Sequence, residues 1–161
     1  DNPWFNQTPK HDFNVGFDYN HESVYTKKFV DSVFVHWVTE YHIDGYRLDL
    51  SKGFTQVFSL GNIELWGQYD QSRIDILTNY ANHIWSVDSE SIIILEHFSV
   101  NSEESTLSDA GFLIWGNITH EYAEASMGYS SNLSWGSYQA RGWNDPHLVS
   151  YMESHDEERM M

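Results

Sequence analysis

The chain has 161 residues, of which 40% are hydrophobic and 16% aromatic, and its formal net charge is −16. This length supports one domain with a real core, and the apolar content argues against disorder. Such an acidic chain has no basic face for nucleic acid or an anionic membrane, so neither is expected as a partner. The chain contains no cysteine, which excludes disulfides and thiol chemistry.

Helical and extended patterns alternate along the chain. Apolar residues at helical spacing predict one helix from about residue 22 to 41 and another over about 70–86. Strands that alternate with helices predict an α/β fold, in which helices cover a parallel sheet. The same patterns predict strands at 43–50, 91–98, 112–115 and 147–152 and a third helix at 119–127. The segments at 51–69 and 99–111 are predicted to be loops. The run at 91–98 is typical of a strand buried on both faces.

Charged residues interrupt or follow the predicted strands. The stretch DGYRLDLSK, residues 44–52, places Arg47 and Asp49 two apart, so they share one face of a strand. The second strand ends at Glu96, and the last leads into Asp156. Because the carboxyl ends of parallel strands meet at one edge, we expect the three acids there, where catalytic groups gather. An isolated ion pair would explain Arg47 and Asp49, but not all three acids.

Three stretches resemble consecutive conserved regions of one enzyme family. EYHIDGYRLDLSK, IIILEHF and YMESHDEERM are similar, in order, to regions of the α-amylase family of glycoside hydrolases, glycoside hydrolase family 13. The resemblance implies that residues 1–161 are part of a single (β/α)8 TIM barrel catalytic domain. This partial barrel would run from about helix three to the end of strand seven. Strands one to three and strand eight would be absent.

The resemblance implies a retaining glycosidase with three catalytic acids. Asp49 would be the nucleophile that forms a glycosyl-enzyme intermediate. Glu96 would be the general acid/base, kept protonated by an apolar strand end. Asp156 would hold sugar hydroxyls and favour the distorted transition state.

Three further matched residues would bind substrate. Arg47 would hold Asp49 ionised and oriented, and His155 would bind a sugar hydroxyl in the cleaved unit. Lys52 would reach a hydroxyl beyond the scissile bond, with a solvated loop lysine as an equal alternative. The chemistry requires no cofactor, and no metal ligand is assigned. In many α-amylases a His follows the matched Lys and joins a calcium site; Gly53 stands there, which argues against structural calcium at that position.

Several functions share these residues. Hydrolysis of α-glucans such as starch, glycogen or maltooligosaccharides is the leading expectation, with α-1,6 debranching or branching transfer as alternatives. Ser154, where the family more usually has Asn, favours the branching and debranching side. A non-catalytic carbohydrate-binding homologue is a second class, and an unrelated α/β protein is a third, to be preferred if the three acids point to different sheet edges.

The expected partners are an α-glucan substrate and the remainder of the barrel chain. The isolated fragment is expected to be inactive, because a partial barrel leaves strand edges and one sheet face uncovered. The sequence leaves the cell location open between secreted, periplasmic, cell-surface and cytoplasmic.

Overall fold

The computed structural model of the protein describes residues 2–14 and 17–159. Its centre is a four-stranded, all-parallel sheet in which the strands lie in chain order, β1-β2-β3-β4. The predicted α/β fold with a parallel sheet is therefore confirmed. The strands are β1 (Gly45–Leu48), β2 (Ile92–Leu95), β3 (Leu113–Asn117) and β4 (Leu148–Tyr151).

Helices precede or connect these strands. They are α1 (Val24–Tyr41), α2 (Ile63–Trp66), α3 (Gln71–Val87), α4 (Asn101–Asp109) and α5 (Thr119–Ser126). The predicted helices near 22–41, 70–86 and 119–127 are confirmed as α1, α3 and α5. Asp70 begins α3 by accepting hydrogen bonds from the backbone N–H groups of Ser72 and Arg73, a common N-cap arrangement. In the described part of the chain, no helix is long and apolar enough to cross a membrane.

The core lies on one face of the sheet. Alternate strand residues meet apolar side chains of α1, α3 and α4, with Leu77 and Leu107 among the most deeply buried. Within the described residues, the sheet's contribution to this core comes from a single face: Tyr46, Leu48, Ile93, Leu95, Ile114 and Leu148. The opposite face carries Arg47 and its in-register neighbours. We call it the Arg47 face; its members in β1 to β4 are Gly45, Arg47, Ile92, Ile94, Leu113, Trp115, Asn117, Val149 and Tyr151.

Exposure on the Arg47 face corrects one prediction. The strand at 91–98 was expected to be buried on both sides, but Ile92 is 50% exposed, whereas Ile93 is buried against the helices. The apolar residues of this strand therefore lie in two different environments, one on each face of the sheet. One face is packed under helices, and on the other no helix of the described residues covers Ile92.

The segment 99–111 is a second correction, because it was predicted to be a loop and contains α4. Only one large apolar residue of α4, Leu107, is fully buried, so the apolar periodicity that predicts helices is missing. The helix instead buries Glu103 and Glu104, which pair with Arg73 and Arg141. The predicted loop at 51–69 likewise contains the short helix α2 and a 3-10 turn, Ser51–Gly53.

Candidate active site

Arg47 lies at the centre of the site. One terminal nitrogen, Nη1, contacts the Asp49 carboxylate, so the expected pairing of these two residues is confirmed. The other, Nη2, donates to Glu96 Oε2 at 2.7 Å. A guanidinium that holds one carboxylate on each terminal nitrogen keeps the two acids within a few ångströms of each other. The structure therefore brings Arg47, Asp49 and Glu96 into one cluster.

Close approach of β1 and β2 sets this geometry. A Cβ on Gly45, whose φ is 152°, would lie 1.9 Å from the carbonyl oxygen of Ile92, so only glycine fits at the start of β1. The register then pairs Arg47 with Ile94, one position before the end of β2. Glu96 continues the ladder by donating its backbone N–H to Leu48 O at 3.1 Å. Both acids consequently follow directly on adjacent strand ends.

The turn after Asp49 adds a second contact to Glu96. Leu50 adopts a left-handed conformation, with φ 42° and ψ 46°, which is uncommon for a residue with a branched side chain. In this conformation its backbone N–H donates to Glu96 Oε2 at 3.1 Å. Phe98, two residues past Glu96, is also left-handed, with φ 55°. Backbone strain of this kind concentrates at functional sites, and here it borders both acids.

The two acids occupy contrasting environments. The Asp49 side chain is 74% exposed, whereas that of Glu96 is 9% exposed. Burial raises the pKa of Glu96 above its ordinary value; the Leu50 N–H and the Arg47 charge oppose this rise, and contact with Asp49 reinforces it. A buried carboxyl of raised pKa beside an accessible carboxylate is the arrangement in which one acid donates a proton and the other attacks.

Two aromatic residues of the site were not singled out from the sequence. The Arg47 guanidinium carbon lies 4.3 Å from the ring centroid of Trp115, which itself packs against Tyr151 with centroids 5.1 Å apart. Burial, together with the negative charges of Glu157, Glu96 and Asp156, raises the pKa of Tyr151 to about 12. The available signal was strand alternation: Trp115 and Tyr151 fall on the same face as Arg47 once the register is known.

Asp156 and His155 lie beyond the end of β4. Their side chains are 62% and 63% exposed and pair with each other at 3.2 Å. The charge of Asp156 reaches Tyr151, but the contacts described for this acid do not include Arg47 or Glu96. The structure thus brings Asp156 past the same strand edge without joining it to the cluster.

The structure directs Lys52 away from the cluster. The side chain is buried, its Nζ donates to Phe98 O at 2.8 Å, and the same nitrogen lies 4.1 Å from the ring centroid of Trp66. Burial lowers the pKa of this lysine. Its burial contradicts the solvated loop alternative, and contact of Lys52 with a ligand stays a prediction. The sequence does not predict that Trp66, fourteen positions later, lies against the Lys52 ammonium group.

Two cavities flank the cluster. One of about 440 Å³ borders Asp49, and aromatic rings such as Phe13, Phe34 and Phe54 form much of its wall. Another of about 180 Å³ lies beside Trp115 and is bordered by Trp135, Glu104 and Arg141 among others. Rings and hydrogen-bonding groups in the same wall suit a ligand with both apolar faces and hydroxyls.

Within residues 2–14 and 17–159, no group of three His, Cys, Asp or Glu side chains is arranged to hold a metal ion. No family model matches the chain, and comparison with curated proteins finds no match either. The case for a function therefore stands on the motifs and on the geometry of the Arg47 cluster.

Proposed function

We propose that this chain is part of a retaining glycoside hydrolase that acts on α-glucans. The observation that carries the proposal is the cluster itself: one guanidinium binds an exposed carboxylate, Asp49, and a buried one, Glu96, whose pKa is raised. A retaining glycosidase requires a nucleophilic carboxylate and a protonated acid on the two sides of the scissile bond.

In this mechanism Glu96 donates its proton to the leaving glycosidic oxygen while Asp49 attacks the anomeric carbon. The second step reverses the roles, as Glu96 removes a proton from water that displaces Asp49. Arg47 stabilises the charge on Asp49, and departure of the proton from Glu96 creates a second carboxylate for the same guanidinium. Asp156 and His155, both exposed beyond the end of β4, bind sugar hydroxyls.

Strand order supports the proposal that the sheet is part of a (β/α)8 TIM barrel. When parallel strands follow one another in chain order, right-handed crossovers place every connecting helix on the same face of the sheet. In a doubly wound sheet the strand order reverses part-way, and helices cover both faces. One face of this sheet packs against helices, as the outer wall of a barrel does. The Arg47 face, where Ile92 is 50% exposed, corresponds to the inner wall. In such a barrel the acids lie at the carboxyl ends of the strands.

The direct test is a substrate assay of the full-length protein that contains this chain. Incubation with amylose and with pullulan separates three outcomes: short oligosaccharides from amylose indicate α-1,4 hydrolysis, maltotriose from the α-1,6 links of pullulan indicates debranching activity, and new α-1,6 branches on amylose indicate transfer. Asp49→Asn and Glu96→Gln should each lower turnover by about 10³-fold, with exposed Glu90→Gln as the matched control. Unchanged turnover in both active-site variants would refute the proposal, and glucan binding without turnover in the parent would favour a non-catalytic homologue.

We also propose that the 161 residues alone are inactive. Among the described strands, β1 pairs with β2 and β4 pairs with β3, which leaves an open edge on each side of the sheet. Open edges beside a partly exposed apolar face favour self-association. Purified fragment should elute as an oligomer or aggregate and cleave starch far more slowly than the full-length protein. Equal turnover by a monomeric fragment would contradict the incomplete barrel.

A further inference from the structure

A closed chain of buried hydrogen bonds lies directly beneath the Arg47 cluster. Ser51, His97 and Glu103 are each 0% exposed, and Arg73 is 1% exposed. Ser51 Oγ is 2.9 Å from His97 Nδ1, and His97 Nε2 is 2.5 Å from Glu103 Oε1. Arg73 donates to both Glu103 oxygens, from Nε at 2.6 Å and from Nη2 at 2.8 Å.

The chain closes on the segment that carries Asp49. Arg73 Nη1 donates to the backbone carbonyl of Lys52 at 3.1 Å, next to Ser51. Ser51 in turn donates its backbone N–H to Glu96 O at 2.8 Å, and its hydroxyl lies 3.1 Å from the same oxygen. The network therefore joins the main chain on the carboxyl side of Asp49 to the main chain of Glu96.

Glu103 is the hydrogen-bond acceptor at the centre of this network. The Glu103 carboxylate is ionised, because hydrogen bonds from His97 and Arg73 lower its pKa despite its burial. It only accepts, so His97 Nε2 carries a proton. Burial lowers the pKa of His97, and the contact with Glu103 opposes this shift. Ser51 holds Glu96 O through its backbone N–H and its hydroxyl, and the same hydroxyl oxygen lies within hydrogen-bond distance of His97 Nδ1.

The backbone is strained at two residues that are bonded to members of this network. Leu50 and Phe98 are left-handed, at φ 42° and 55°, and they flank Ser51 and His97 in sequence. Such conformations persist in residues other than glycine when surrounding contacts enforce them. In this conformation the Leu50 N–H donates to Glu96 Oε2, and Ser51, the next residue, is anchored by the network.

We propose that His97 is a positioning residue for Glu96: acting through Ser51, it fixes the turn that aims the Leu50 N–H at the Glu96 carboxyl. This inference rests on the proposed function, because it assigns His97 to the proton donor of the glycosidase. His97 does not touch substrate and is not itself catalytic. Its effect is confined to steps that need the proton of Glu96.

The test uses leaving groups of different basicity in the full-length protein. Natural glucan needs a proton from Glu96 as its bond breaks, whereas an α-glucosyl fluoride or an activated aryl glucoside leaves without one. His97→Gln keeps a donor near Glu103 but loses the contact with Ser51. We expect it to lose about 10²-fold in kcat/KM on glucan and less than about threefold on the activated substrate.

Two further variants separate positioning from general damage. His97→Asn keeps a polar atom near Ser51 and should recover part of the glucan activity, while Ser51→Ala should repeat the selective loss of His97→Gln. His120→Gln, at an exposed histidine, is the matched control. Equal losses on both substrates, or an Asn variant no better than the Gln variant, would overturn the positioning role.

The outcomes also distinguish this inference from the proposed function. Glu96→Gln should itself show the selective loss on glucan. If it does and His97→Gln does not, the glycosidase stands and the role of His97 is wrong. If Glu96→Gln loses no more on glucan than on the activated substrate, Glu96 is not the proton donor and the proposed function fails first. Melting curves of each variant record whether it is folded.

Discussion

The two ends of the candidate site hold their acids in different ways. At the β1–β2 end, Glu96 receives two hydrogen bonds on one oxygen, and Arg47 joins it to Asp49. At the β4 end, Asp156 pairs with its neighbour His155 in an exposed segment. The comparison teaches that acids at one edge of a sheet need not be organised together. Pairing between adjacent strands organises the first end. At the second end Asn117 of β3 donates to Glu157, and the contacts described for Asp156 come from its own segment.

The Glu104–Arg141 pair connects the two ends. Arg141, which lies before β4, binds Glu104 of α4 with an Nη1 to Oε2 distance of 2.9 Å. Its Nε donates to Trp135 O at 2.8 Å. The approach to β4 is thus held by buried charges, while His155 and Asp156 after β4 are exposed.

The largest effect is expected at Arg47. Arg47→Lys keeps the charge, but one ammonium cannot hold two carboxylates in the fork geometry of a guanidinium. We expect glucan hydrolysis by the full-length protein to fall by about 10³-fold, equivalent to about 4 kcal/mol. Steady-state kinetics with Lys28→Arg, a swap at an exposed lysine of α1, as the control measure this. A loss below about tenfold would mean that bridging of the two acids is not required.

Glu103→Gln should produce the largest change in stability. The variant leaves the Arg73 guanidinium buried at 1% exposure without its carboxylate, and breaking a buried pair from one side costs about 3–5 kcal/mol. Denaturant unfolding should show this loss, whereas the exposed Glu90→Gln should remain within about 0.5 kcal/mol of the parent. A small loss at Glu103 would show that the network is not what organises the β1–β2 end.

Much of the fold followed from local patterns. Apolar periodicity predicted α1 and α3, and alternation in DGYRLD put Arg47 and Asp49 on the face opposite Tyr46 and Leu48, as the structure has them. These predictions succeeded because the relevant partners are close in sequence or belong to one strand. The pairing of Arg47 with Asp49 needed no knowledge of the rest of the chain.

Other features depend on distant partners and could not be predicted from local patterns. Helix α4 buries two acids instead of an apolar stripe, and it is stable there because Arg73 and Arg141 come from elsewhere in the chain. Lys52 looks like a solvated lysine until Trp66 and the Phe98 carbonyl cover it. The exposure of Ile92 depends on what lies over the sheet, which its own apolar run does not encode.

Glu104→Gln should change how stability depends on pH. Burial raises the pKa of folded Glu104 to about 7, above its unfolded value of about 4.3. The folded state therefore holds this proton more tightly, and the free energy of unfolding falls as pH rises from about 4.5 to 7, then levels off. The slope reaches at most about 1.4 kcal/mol per pH unit. The Gln variant, which does not titrate, should lack this fall.

Urea unfolding across pH 4 to 8 measures the difference between the two proteins. Subtracting their curves removes His21, whose pKa is lowered to about 4 and which contributes the opposite slope. Parallel curves for parent and variant would show that Arg141 keeps Glu104 ionised throughout, so that the approach to β4 is fixed by a permanent ion pair.

The smallest change in stability is expected at Asp156. The same substitution is expected to lower activity, so it tests the role of this residue in the fold separately from its role in the reaction. An exposed pair with His155 contributes little, so Asp156→Asn should alter the free energy of unfolding by no more than about 0.5 kcal/mol. Its proposed role in binding sugar hydroxyls nevertheless predicts a loss in glucan hydrolysis of about 10²-fold in the full-length protein. Denaturant unfolding and kinetics on the same preparation check both numbers. A stability loss above about 2 kcal/mol would show that the β4 end is packed as firmly as the β1–β2 end. Unchanged activity would remove Asp156 from the site and leave the chemistry to the two acids that share Arg47.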